Sequence, residues 1–185
     1  FWIRNTAGVG LNVEFAIWVG QFEDRRLITN AAQGIDPISV EELRAQSYVA
    51  GFFEGATASN YSFAMLWNPA SSGKIIALKS FRAGSNAAGF IVFAFNNSTS
   101  PFSLYGVAPQ AKYLGDPSGV AEMYTGADTM TPGTVLGTYG VAADVSERIE
   151  FEEPILIPDG VGFIWRSAAL DSDLTGYCNY LEIDG

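Results

Sequence analysis

The sequence contains no histidine, a single cysteine and few charges, and each shortage closes off a class of chemistry. Without histidine there is no Ser-His-Asp triad, no HExxH zinc site and no imidazole acid or base. The lone Cys178 forms no internal disulfide and supports no Cys-rich zinc site, and it leaves the redox compartment open. Charged residues make up 16% of the chain, against about 25% in an ordinary soluble domain. Together with 14% aromatic residues, that shortage points to a surface partly covered by other protein. No apolar run approaches the ~18–20 residues of a membrane helix, and no basic stretch followed by an apolar core stands near the start, so a soluble chain without a membrane partner is expected.

What is present is 185 residues, enough for one domain or one domain with an arm. Surface scaling lets such a chain bury about 70% of its unfolded area, so it needs no disulfide to fold. Its net charge of -10 is unevenly spread. Residues 1–115 carry seven acids and eight bases, whereas residues 116–185 carry thirteen acids and two bases. Nucleic acid as the main partner is disfavoured by an acidic chain without clustered Lys and Arg. Two readings of the asymmetry stand: a solvated acidic face, or head-to-tail contact between unlike charges on neighbouring subunits.

Hydrophobic residues recur mostly with period two. Val13, Phe15, Ile17 and Val19 alternate with Glu14, Ala16 and Trp18 as in a strand buried on one face. Further strands are expected over 49–54, 61–67, 74–82, 89–95, 120–124, 135–139, 148–155, 162–166 and 177–183, separated by turns rich in Gly, Pro, Asn and Ser. In the strand from Arg148, the side chains of Ile149 and Phe151 point inward, and those of Arg148, Glu150 and Glu152 outward. One short helix is expected over 40–46, where Ser39 and Glu42 have capping-box spacing behind Pro37. The fold class is therefore all-β, an antiparallel sandwich with an N-terminal arm and one helix. Residues 1–47 form the arm and linking helix, and residues 48–185 the sandwich.

Three motifs invite chemistry and each has a plainer account. Asn68-Pro69-Ala70-Ser71-Ser72-Gly73-Lys74 ends like a phosphate loop, but Asn68 stands where a Walker loop needs Gly, Ile75 where it needs Ser or Thr, and a strand follows where it needs a helix. The same strand undoes the S-x-x-K spacing of Ser71 and Lys74, so a turn between strands is expected. Asp171, Asp173, Thr175, Gly176 and Glu182 fit the spacing of a calcium loop. Read as a hairpin, Asp171 and Asp173 are turn residues and Glu182 points outward from the last strand, so no metal site is expected. Glu150, Glu152, Glu153 and Asp159 are carboxylates for glycoside hydrolysis, but Glu150 and Glu152 share one strand face instead of flanking a sugar. Trp18, Trp67, Tyr113, Tyr124 and Trp165 either stack on sugars or fill the core. No catalytic residue and no cofactor are assigned.

The stretch Asn60-Tyr61-Ser62-Phe63-Ala64-Met65-Leu66-Trp67-Asn68-Pro69-Ala70-Ser71-Ser72-Gly73-Lys74-Ile75-Ile76-Ala77-Leu78 resembles a pattern in small virion proteins of tailed bacteriophages, in which an apolar strand ends in N-P-x-x-S-G-K and a second strand follows. Similar features are Gly133-Thr134-Val135-Leu136, the run from Phe151 to Phe163, the strand Gly176–Glu182 and the opening Ile3–Val9. The resemblance implies a jelly-roll-like sandwich, often trimeric, located in the virion. It also implies contact with the major capsid protein or with tail or portal-associated proteins, as cement, decoration or tail component. A glycan-binding adhesin domain of a virion fibre, with a host glycan as partner, is the alternative. Partner contacts are expected at Phe1, Trp2, Trp18 and Phe22 in the arm, at basic Lys74, Lys79 and Arg82, and at acidic Glu150 and Glu152.

Overall fold

The structure, a computed structural model, describes residues 16–18, 21–23, 47–112, 118–130 and 132–185, with side chains from residue 47 onward. The chain divides into two units, Phe1–Ser39 and Val40–Gly185. In the first, β1 (Ala16–Trp18) and β2 (Gln21–Glu23) form an antiparallel ladder with Ile17 opposite Phe22. Trp18 and Phe22 thus have backbone places in these strands. Phe1, Trp2 and the helix expected over 40–46 lie outside the described residues.

The second unit is all strand and turn among its described residues. It comprises β3 (Ser47–Glu54), β4 (Tyr61–Asn68), β5 (Lys74–Ser85), β6 (Gly89–Asn96), β7 (Ser103–Leu104), β8 (Gln110–Ala111), β9 (Glu122–Asp128), β10 (Thr134–Val141), β11 (Val145–Ile157), β12 (Val161–Arg166) and β13 (Leu174–Asp184). These build two antiparallel sheets, one of six strands in the order β10-β6-β12-β4-β9-β7 and one of five in the order β11-β5-β13-β3-β8. The pairing is nested. β6 pairs with β10, β5 with β11, β4 with β12 and β3 with β13, as if one long hairpin had been rolled into a sandwich. Segments β7 to β9 are inserted between the innermost pair and extend both sheets at their far edges.

Alternation decides which side chains meet between the sheets. From the five-stranded sheet come Tyr48, Ala50, Phe52, Ile76, Leu78, Phe81, Ala83, Cys178 and Tyr180; from the six-stranded sheet come Ala64, Leu66, Ile91, Met123, Phe163 and Trp165, all buried. Phe81 is the hub, with ring centroids 5.6 to 6.0 Å from Phe93, Tyr139, Phe151, Phe163 and Trp165. All five pairs are tilted or edge-on, as the ring quadrupole favours. In β11 the expected alternation holds, with Ile149 and Phe151 half-buried while Arg148, Glu150 and Glu152 are exposed.

A second apolar cluster lies on the outer side of the six-stranded sheet. Phe63 and Met65 of β4, Ala94 of β6 and Ile164 of β12 are buried there beneath Phe102. The Phe63 and Phe102 rings are 5.3 Å apart. The segment after β6 thus returns over the sheet before pairing at its edge, which explains why β4 and β12 are buried at nearly every position instead of every other one.

Candidate functional site

The N-P-x-x-S-G-K motif forms a structural corner. β4 ends at Asn68 and β5 begins at Lys74, so the expected turn is present. Asn68 is fully buried. Its Nδ2 donates to the carbonyls of Lys74 at 2.8 Å and Ile157 at 3.0 Å. Ser72 Oγ lies 2.7 Å from Asn68 Oδ1 and from Asp159 Oδ1, and accepts from Lys74 N at 3.1 Å. Ser71 and Gly73 adopt left-handed backbone, φ 64° and 67°, to close the turn. Lys74 itself is drawn to Asp184 of β13, and that hydrogen bond raises its pKa. One side chain therefore ties together the ends of β4, β5 and β11.

The Asp171 segment sends its carboxylates in different directions. Asp171 Oδ1 accepts from Ser59 N, while Asp173 Oδ1 accepts from Asn86 N at 2.7 Å and Asp173 N donates to Asn86 Oδ1 at 3.1 Å. Each ties down a different neighbouring loop. Glu182 does not point outward as expected: it is 3% exposed, on the inner face with Cys178 and Tyr180. Its two carboxylate oxygens accept from Val120 N and Ala121 N, each at 2.9 Å. A Cβ at Gly119 would lie 2.4 Å from Glu182 Oε1, so the backbone approaches this closely only because residue 119 is glycine. The buried charge is compensated by strong hydrogen bonds and fastens the chain leading into β9.

The outer side of the five-stranded sheet carries the charged residues singled out from the sequence. Arg82 Nε donates to Ser146 Oγ at 2.8 Å and its Nη2 to Ser146 O at 3.1 Å, so Arg82, like Lys74, is engaged within the chain. Lys79, Glu150 and Glu152 come together in a cleft of about 500 Å³, with Lys112 and Arg148. The cleft follows from broken register. Against β13, Lys79 is an extra residue between Leu78 and Ser80; against β11, four residues, Phe151 to Pro154, stand opposite that one. Such bulges re-aim side chains that a regular ladder would keep parallel. Arg148 Nη2 holds Glu150 Oε1 at 2.6 Å, while Asn179 Nδ2 donates to Ser80 Oγ at 3.2 Å on the floor. Desolvation, followed by repulsion from Lys79 and Arg148, holds Lys112 below the usual lysine range. Arg148 faces outward as its strand pattern predicts, but neither it nor Lys112 is expected beside Lys79, because they approach it only through β11 and the end of β8.

Of the aromatic residues considered for stacking on sugars, Trp165 is fully buried between the sheets, and Trp67 and Tyr124 pack against the outer cluster. Tyr113 lies outside the described residues, and Trp18 has only its backbone place in β1. Among the described residues no group of His, Cys, Asp and Glu is arranged to hold a metal ion. Comparison with known proteins adds no relative, since no family model, no curated protein and no solved structure matches this chain.

Proposed function

We propose that this chain is a non-enzymatic structural protein of a tailed-phage virion, a jelly-roll sandwich that binds neighbouring subunits as a cement, decoration or tail-associated component. The observation that carries the reading is the nested pairing of eight strands in two facing antiparallel sheets, which supports a double-sheet jelly roll. It occurs in a chain whose N-P-x-x-S-G-K corner resembles that of such virion proteins. Because Lys74 and Arg82 are engaged within the chain, the proposed self-contact moves from the basic strand to β10. That strand, Thr134–Val141, has no charged residue, stands at a sheet edge, and exposes Val135 and Leu136. An uncharged strand that has a neighbour on only one side among the described residues is a template for pairing with a second copy.

The proposed assembly is a homotrimer seated on a capsid, tail or portal-associated protein, with residues 1–47 as its arm. Locating the chain in a particle reconstruction tests the reading directly, and finding it free in cytosol with no particle overturns it. Sedimentation should give a trimer that Val135→Lys dissociates. A monodisperse monomer of the unaltered chain at low salt refutes the self-contact. Deleting residues 1–20 should leave the sandwich folded and impair incorporation; unchanged incorporation removes the arm from the account.

A further inference from the structure

We propose that the bulge cleft between β5, β8, β11 and β13 binds an acidic sugar unit, seating its carboxylate or sulfate on Lys79 and Lys112 and its hydroxyls on Glu152 and Asn179. This goes beyond the assembly reading and does not depend on it.

Three cations converge on this cleft in a chain of net charge -10. Arg148 is satisfied by Glu150, but Lys79 and Lys112 have no ion-pair partner among the described residues. The pKa of Lys112 is lowered, first by desolvation and then by the charges of Lys79 and Arg148, so its ammonium feels the other two cations of the cleft. An oxyanion placed between them would relieve that repulsion and accept charge-assisted hydrogen bonds.

Size and chemistry favour a sugar over a bare ion. A hollow of about 500 Å³ far exceeds a sulfate ion and falls in the range of small-ligand sites. The lining is not cationic throughout: Glu152 accepts hydrogen bonds, Asn179 both donates and accepts, and Pro154 adds an apolar surface. A hydroxyl-bearing ring with one anionic group matches this mixed lining. An acidic peptide strand does not, because successive carboxylates reaching the lysines would pass Glu150 and Glu152 and be repelled.

The test is titration of the full chain with inorganic sulfate, with a sulfated disaccharide and with a glutamate-rich peptide, followed by amide chemical shifts. The disaccharide should move Ser80, Lys112, Arg148 and Asn179 together and bind at least about tenfold more tightly than sulfate. Lys79→Ser and Lys112→Ser should each weaken it about tenfold, with the melting temperature unchanged because both side chains are exposed. Glu152→Ala should weaken the disaccharide while strengthening sulfate, an opposition that a merely basic patch does not produce. No shift at millimolar ligand, equal affinity for sulfate and disaccharide, or tighter binding of the peptide would each overturn the proposal.

Discussion

The two sheets share one core but differ on their outer sides. The outside of the six-stranded sheet is apolar and covered across β4 and β12, where Phe63, Met65 and Ile164 lie in one cluster with Phe102, while Phe90 of β6 stays exposed. The outside of the five-stranded sheet carries Lys79, Arg82, Arg148, Glu150 and Glu152 and remains open. One sheet is thus a middle layer, held from both sides, and the other a wall with a single buried face. Stability should therefore concentrate in the first, and binding chemistry should collect on the second.

The largest effect expected from this contrast is at Phe63. Although it faces away from the main core, it is fully buried, so Phe63→Ala should cost about 3–5 kcal/mol, as much as Phe81→Ala at the hub. Chemical denaturation compares the two; a cost below about 1 kcal/mol for Phe63→Ala would show that the outer cover is loose and the contrast false. The next concerns the wall's inner face. Glu182→Ala removes two charge-assisted bonds and leaves two backbone N–H groups unpaired, and should cost about 2–3 kcal/mol. A neutral or stabilising result would mean that desolvation of the carboxylate outweighs its bonds.

The smallest effect is pH-dependent. Burial pushes the Cys178 thiol from 9.0 up to about 12, so only the unfolded chain ionises it readily. Its contribution is complete below pH 9.0 and is lost as pH rises toward about 12. Between pH ~8 and ~10.5 the unaltered chain should lose on the order of 2 kcal/mol more than Cys178→Ala, which keeps the separate losses from buried Tyr139 and Tyr180. The native thiol should also resist labelling at pH ~8, whereas a cysteine at half-exposed Asn179 in the Cys178→Ala background should label quickly. Equal labelling would place both on one side and contradict the alternation of β13.

Strand positions were readable wherever one face is polar, as in β11, where Ile149 and Phe151 alternate with charges. They were also readable in β4 and β12, but the near-continuous apolar runs there carried a further message, burial on both sides, that went unread. Glu182 was misplaced because an acid is ordinarily exposed, and the amides that reconcile it with burial lie some sixty residues earlier in the chain. The cleft was only partly legible. Lys79, Glu150 and Glu152 stood out as charged strand residues, yet no local pattern reveals the register breaks that bring Lys112 and Arg148 to them. The nested pairing was equally hidden, since alternation fixes which side of a strand is buried and not which strand lies beside it.

That nesting sets a schedule for the growing chain. The innermost partners, β6 and β10, emerge closest together, and β5 with β11, β4 with β12 and finally β3 with β13 follow at widening intervals. About 120 residues separate the end of β3 from the start of β13, roughly 6–24 s of synthesis at ordinary ribosome speeds. Throughout that interval the apolar face of β3, with Tyr48, Ala50 and Phe52, waits for its principal neighbour. A sandwich that forms its pairs in this order would close like a zipper from the middle of the sequence outward, with its earliest-made strand among the last to be secured.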